Sequence, residues 1–280
     1  MKRIVIVVLL VAIAGIAGIV RSRPRTFGGV RNLSHAIHED RSATTARDEV
    51  RKSFELSSGA RVEVRGINGA VKIETSDRKT AEVFIERFGA SQEVLDRRKI
   101  VIDSTSDSLT IHGEKGDTSF FERLFGSSPT ERVTLQLPRS ISLAVKGVNG
   151  SVSSGELEGP VEVVGVNGKV DVAQASGAAS FKGINGQVAV ALKQIDRGGV
   201  EITGVNGNVE LQLSDGVNAN LDARGMNGAV ISELAGVTVD KRQHGRYTAQ
   251  IGSGGNSISA AGINGNIRLT RMMVGASGDQ

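Results

Sequence analysis

Imidazoles, carboxylates and hydroxyls would have to carry any chemistry in this chain, because it contains four histidines and no cysteine. A thiolate metal site, a cysteine nucleophile, a disulfide framework and a cysteine-linked lipid anchor are thereby excluded. His35 and His38 form an H-x-x-H pair whose spacing puts both rings on one face of a helical turn, where they could share a metal. They lie in a polar stretch without a further ligand set, so a solvated linker is the expectation. His112 and His244 are isolated and read as structural or exposed. Glycan-cleaving β-helices work with carboxylate pairs, or with calcium and a base, and Glu162 with Glu201 is the pair that could approach one another here. Basic residues alternate with them in the sequence pattern, which favours a salt-bridge ladder over an acid/base couple. Gly252-Ser253-Gly254-Gly255-Asn256 lacks the aspartate that the glycine-rich calcium nonapeptide requires. P-loop, H-E-x-x-H and G-x-S-x-G motifs are absent from the sequence, and neither a cofactor nor a metal is expected.

The elements that would position these groups follow from an internal repeat. The tetrapeptide glycine, Ile/Val/Met, asparagine, glycine occurs seven times, with its asparagine at Asn68, Asn149, Asn167, Asn185, Asn206, Asn227 and Asn264. From Asn149 onward the spacings are 18, 18, 21, 21 and 37, the last close to two repeats with one degenerate copy. Six residues upstream stand Val62, Leu143, Val161, Ala179, Val200, Leu221 and Ile258; four upstream stand Val64, Val145, Val163, Phe181, Ile202, Ala223 and Ala260. Three downstream stand Val71, Val152, Val170, Val188, Val209, Val230 and Ile267, with Ile73, Val172, Val190, Leu211 and Leu269 two further on. This period-two alternation on both sides of the tetrapeptide predicts two short strands, each with one buried face. Between the inward positions lie Glu63, Glu162, Glu201 and Asp222 in one column and Arg65, Lys146, Lys182 and Arg224 in another, which read as solvated faces.

A unit of 18 to 21 residues cannot bury its own apolar face, so coil must stack on coil. The predicted fold is all-β: a parallel β-solenoid or β-helix with coils of this length. Asn-Gly is also the strongest short hairpin signal, which makes an antiparallel meander the competing topology. Equivalent corners at near-constant spacing favour the solenoid, with the asparagine amides stacked as a hydrogen-bonded ladder. A ligand or sugar site is the alternative use of that column.

Before Asn149 the pattern loosens. The 81 positions between Asn68 and Asn149 leave room for about four coils of that length. An insert, Thr118 to Gly126, holds three of the eight phenylalanines and reads as an amphipathic cap on a solenoid end, or as a partner or membrane contact. Thr238 to Asn256 breaks register and reads as a loop excursion. Unpaired terminal coils would expose edge strands, so self-association is a possible outcome.

Behind Met1-Lys2-Arg3, residues 4–20 form 17 consecutive apolar or glycine residues, followed by Arg21, Arg23 and Arg25. A helix of this length spans roughly 25 Å against a hydrocarbon core of roughly 30 Å. An uncleaved membrane anchor is favoured over a cleaved signal peptide and over a buried core helix; both flanks are basic, which leaves orientation open. The expected organisation is an apolar helix over 1–21, a linker over 22–52 with a short helical turn at Ala46 to Lys52, a β domain over 53–270, and a disordered tail over 271–280.

Aromatics make up 3 % and tryptophan is absent, so the core must be aliphatic and thin. The net charge is +4, but six of the 34 basic residues lie within the first 31 positions, leaving 28 against 30 acidic residues beyond them. A body this close to neutral lacks the basic footprint of a nucleic-acid binder.

The chain resembles the bacterial putative-adhesin family over about Phe54 to Leu269. The resemblance rests on Phe54-Glu55-Leu56 ahead of Val62-Glu63-Val64, on Val133-Thr134-Leu135-Gln136-Leu137-Pro138, on the G-x-N-G corners, and on Ile251-Gly252-Ser253-Gly254 ahead of Gly262-Ile263-Asn264-Gly265-Asn266-Ile267. It implies an extended parallel β-helix-like domain at the cell envelope, a family of unknown function, and no catalytic residues. The functional expectation is a non-enzymatic envelope protein, membrane-bound through residues 4–20 or released by cleavage, presenting its repeat surface to a protein, a glycan or another copy. A carbohydrate-active β-helix enzyme is the alternative, and a cytoplasm-facing scaffold is permitted by the downstream arginines.

Overall fold

The computed structural model describes residues 4–6, 46–115, 128–174, 176–242 and 245–272. They form two open, mostly parallel sheets of 12 and 10 strands. Each tetrapeptide carries the chain from the first sheet to the second: Val161–Val166 leads through Asn167 to Val170–Gln174, and Val200–Asn206 leads to Val209–Leu213. Successive coils stack in register, Val161 on Ala179 on Val200 in one sheet and Val170 on Val188 on Val209 in the other. The repeat columns therefore become rows of buried side chains between the sheets, each valine contributing roughly 1.5–3 kcal/mol by leaving water. The variable residue of the tetrapeptide joins this core: Ile67, Val148, Val166, Ile184, Val205, Met226 and Ile263 are all buried.

The two glycines of each corner serve different ends. Gly165 sits at φ +66°, a left-handed turn that a side chain resists. At Gly168 a Cβ would lie 2.4 Å from the carbonyl oxygen of Gly150 in the coil beneath, closer than any atom pair tolerates. Only glycine lets corner stack on corner at the strand spacing.

The coils are not stacked in chain order. The Asn264 coil lies between those of Asn206 and Asn227: Ile258 pairs with Val200 on one side and Leu221 on the other, and Ile267 pairs with Val209 and Val230. After Leu213 the chain skips a rung, lays down Ala219–Arg224 and Val230–Ser232, turns back and then occupies the skipped rung. The span Thr238 to Asn256, expected to be a loop excursion beside a degenerate coil, is instead a hairpin of Val239–Arg242 and Arg246–Ile251 that pairs antiparallel with Ala219–Arg224. The other end repeats this plan. Arg61–Arg65 lies between Ser108–Lys115 and Ser142–Val148, and Gly69–Ser76 between Thr130–Pro138 and Val152–Ser154.

The expectation of about four coils between Asn68 and Asn149 is therefore corrected. One coil, Ser108–Lys115 with Thr130–Pro138, is parallel to the stack; Arg98–Ser104, Thr80–Gly89 and Ala46–Glu55 close it with antiparallel pairing. Residues 46–52, expected to end the linker with a helical turn, lie in that last ten-residue strand, because Val50 and Phe54 reach the core at alternating positions. An N-terminal helix is not what the described residues show: Ile4–Ile6 is a strand, antiparallel to Ile102–Ser104. No helix among the described residues is long and apolar enough to cross a membrane. The rest of the apolar segment, His35, His38, His244, the Thr118–Gly126 insert and the tail from 273 lie outside the described residues.

Candidate functional site

Stacked corners bring the seven asparagines into one exposed row. Asn149 Nδ2 donates to Asn68 Oδ1 at 3.0 Å, Asn167 to Asn149 at 3.0 Å, Asn185 to Asn167 at 3.0 Å and Asn206 to Asn185 at 2.9 Å. The chain of amides continues through Asn264 to Asn206 and Asn227 to Asn264, both at 2.9 Å. The amides follow the spatial order of the coils, not the sequence order. At the far end Asn68 Nδ2 donates to the Pro129 carbonyl at 2.8 Å, and the Asn68 backbone N–H donates to Glu131 Oε2 at 2.9 Å. Each amide inside the row both gives and receives, so Asn264→Ala removes two side-chain bonds whereas Asn227→Ala removes one. At about 0.5–1.5 kcal/mol per bond, we expect chemical denaturation to rank Asn264→Ala the more damaging. Equal losses would count against a row that spans the permuted coils.

The outer face of the first sheet presents the acidic column. From rung to rung it reads Glu63, Ala144, Glu162, Ser180, Glu201, Ser259, Asp222. Carboxylates thus alternate with small residues, about 9.5 Å apart at two strand spacings. The permuted coil order maintains this alternation: without the intercalated Asn264 coil, Glu201 and Asp222 would occupy adjacent rungs. Glu162 and Glu201, the pair that might have met, are separated by Ser180. Each is engaged by a lysine, Lys146 Nζ at 3.1 Å from Glu162 and Lys182 Nζ at 2.8 Å from Glu201. Asp222 is bound by Arg224 at 2.5 Å and by Arg246 of the capping hairpin at 3.0 Å. The Arg224 hydrogen bond, outweighing partial burial and assisted by Arg246, holds the Asp222 carboxyl below its ordinary 3.8. Between the carboxylates runs a shallow trough of about 320 Å³, lined among others by Arg61, Ala144, Pro160, Glu162, Ser180 and Glu201.

On the second sheet the corresponding outer column reads Lys72, Ser153, Asp171, Ala189, Glu210, Arg268, Ile231. Asp171 and Glu210 are kept apart by Ala189. His112 Nε2 lies 3.0 Å from Glu114 Oε1. Among the described residues no group of three histidines or acids is placed to hold a metal.

Two buried features escaped the sequence pattern. Arg98 Nε meets Glu131 Oε1 at 2.6 Å, with the Glu131 side chain fully buried, and Arg87 meets Asp48 at 3.1 Å with the Arg87 side chain 2 % exposed. The Arg87 guanidinium also reaches the carbonyls of Leu95 and Arg98, and Arg98 that of Gly66. Gln174 stands in register with Leu192 and then Leu213, in a column that ends on Arg271, and its Nε2 serves the Ser176 carbonyl at 2.7 Å. A signal for Gln174 lies in the leucines that follow it at the same position of the next two coils; the arginines alternate like any solvated strand residue and give none.

No family model and no curated protein matches the chain. Among solved structures, it is similar to a putative cell adhesion protein from Clostridium sporogenes, at 13 % identity over 81 % of this chain and 100 % of that one, TM-score 0.37. A putative adhesin from Bacteroides fragilis matches at 13 % identity over 79 % and 97 % of the chains, TM-score 0.39. A putative adhesin from Parabacteroides merdae matches at 10 % identity over 78 % and 95 %, TM-score 0.28. The similar structures thus bear the bacterial adhesin names that the sequence resemblance implies.

Proposed function

We propose that this chain is a non-enzymatic, adhesin-like protein of the cell envelope, a rigid repeat slab that presents its first-sheet face to an extended protein or glycan. It faces the periplasm or the exterior. The observation that carries the reading is the alternation of carboxylate and small residue across seven rungs, with a trough along it. A flat face with one repeat suits a partner that is itself periodic. The small residues leave room for a chain to lie down, and the carboxylates accept its N–H or O–H groups.

Ser180→Arg puts a long side chain in the middle of the trough without touching the core, since residue 180 faces outward. Spheroplasts displaying the full chain should retain fluorescently labelled envelope fragments, and Ser180→Arg should lower retention about tenfold, the loss expected when roughly 1.4 kcal/mol of binding is removed. Protease-treated and periodate-treated fragments then identify protein or glycan as the ligand. Equal retention by the variant would remove the trough from the proposal, and release of reducing ends from the fragments would establish the enzymatic alternative.

A further inference from the structure

We infer that the chain forms a two-fold dimer through the Ala46–Glu55 strand, pairing antiparallel with the same strand of a second copy and centred on Val50. The inference concerns assembly and stands apart from the reading of the first-sheet face.

Ala46–Glu55 is the terminal strand of the ten-stranded sheet. All ten residues pair with Thr80–Gly89 on one side, and among the described residues no strand lies on the other. An edge ten residues long presents alternate N–H and C=O groups to a further strand. At the same end of the molecule the first sheet stops at the three-residue strand Ile4–Ile6, so the second sheet offers the longer edge.

Charge along this strand is arranged to be self-complementary in one direction. Asp48-Glu49-Val50-Arg51-Lys52 reads as two acids, an apolar centre and two bases. Laid antiparallel on itself about Val50, it sets Glu49 opposite Arg51 and Asp48 opposite Lys52. The two-fold axis repeats both, so two Glu49–Arg51 pairs form on the exposed face, while Asp48, already engaged by Arg87 at 3.1 Å, sets no like charge against Lys52. Centring the axis one residue earlier sets Glu49 against itself and Arg47 against Arg51. Centring it one residue later sets Arg51 against itself. Parallel pairing in register sets every charge against its own kind. Edge strands are usually guarded by charge that repels a neighbour; here the guard rejects three of these arrangements and admits the fourth.

The faces agree with this register. Opposed residues of an antiparallel pair share a face, so Glu49 and Arg51, both exposed, meet on the outer surface. Val50 packs partly on the core, and Val50 of the second copy would meet it there, extending the aliphatic layer across the axis. Glu49 already lies 2.5 Å from Arg47 of its own strand, and Arg51 lies over the Phe84 ring at 4.2 Å. Both side chains are therefore held on the face where the partner strand would find them. The interface is isologous and closes at two copies, so it ends the assembly rather than propagating a fibre.

The test is a charge exchange on the full-length chain in mild detergent, with mass read by sedimentation at micromolar concentration. The native chain should sediment at twice the 29.3 kDa chain mass. Glu49→Arg sets arginine against arginine, Arg51→Glu sets glutamate against glutamate, and each should weaken association at least tenfold. Mixing the two variants in equal amounts should restore dimers containing one of each, because every opposed pair is then Arg with Glu. That recovery also shows that both variants are folded. A monomeric native chain, single variants that dimerise as tightly as the native chain, or a mixture that stays monomeric would each overturn the proposal.

Discussion

Replacing Glu131 by alanine is expected to lower the unfolding free energy by about 3–5 kcal/mol, the cost of leaving one member of a buried ion pair without its partner. Glu131 occupies, in the outermost parallel coil, the place where the repeat elsewhere puts its asparagine-bearing corner. Its backbone N–H donates to the Asn68 carbonyl at 2.8 Å. Its carboxylate takes the Asn68 N–H at 2.9 Å and Arg98 Nε at 2.6 Å. The backbone of the first corner is therefore closed by a buried charge, beside the Pro129 carbonyl on which the amide row ends, and Arg98 in turn reaches the Gly66 carbonyl of the same corner. Alanine would strand Arg98 in a low-dielectric pocket and leave the Asn68 N–H without its acceptor at once. Glutamine keeps an acceptor for Asn68 but not the charge, so Glu131→Gln should fall between alanine and the native residue. Replacing both members, Arg98→Met with Glu131→Met, should recover only part of the loss: the uncompensated charge is gone, but the Asn68 N–H and the Gly66 carbonyl remain without their side-chain partners. Denaturant midpoints at unchanged slope measure all three. A Glu131→Ala chain within 1 kcal/mol of the native one would show that water reaches this pair and that the first corner is not closed by it.

What the sequence made legible is whatever the repeat imposes on every coil. Columns such as Val62, Leu143 and Val161 are read directly as inward rows, since a two-residue period with one apolar phase has one physical meaning in a strand. Stacking order is a different kind of information. The Asn227 and Asn264 coils carry the same apolar columns, so either would fit beside Val200–Asn206, and local pattern does not discriminate between them. What distinguishes them is long-range: in the observed order Ser259 separates Glu201 from Asp222, and the strand Arg246–Ile251 pairs with the remaining edge of Ala219–Arg224. The antiparallel closure before Asn149 was hidden for a related reason. Ala81, Val83 and Ile85 alternate as a coil strand would, and alternation carries no strand direction. Arg87 and Arg98 were invisible for another reason: their burial is set by Asp48 and Glu131, residues distant in sequence that no periodicity connects to them.

The corner itself supplies the second large effect. Gly168→Ala is expected to cost about 3 kcal/mol or more, from backbone strain and overpacking together, whereas Gly165→Ala should cost about 1–2 kcal/mol for its left-handed backbone alone. Both glycines have positive φ, +66° and +158°, so conformational preference by itself does not rank them. Space does. A Cβ on Gly165 finds its nearest neighbour, the Gly147 nitrogen, at 3.7 Å, an ordinary contact; on Gly168 it falls 2.4 Å from the Gly150 oxygen and 2.6 Å from its carbon. Those are backbone atoms of the adjacent coil, held between the bonds that Asn149 N–H makes to the Ile67 carbonyl at 2.9 Å and Val152 N–H to the Lys169 carbonyl at 2.8 Å, and they cannot rotate aside. The coils would have to separate at that corner, beside the 3.0 Å bonds that Asn167 makes to Asn149 and Asn185. Disruption should therefore spread along the stack rather than stay in one turn. Amide exchange should quicken in the flanking coils of Gly168→Ala but only locally in Gly165→Ala. If the two variants lose equal stability, the corners are spaced more loosely than 2.4 Å implies, and asparagine stacking rather than glycine contact sets the pitch of the coils.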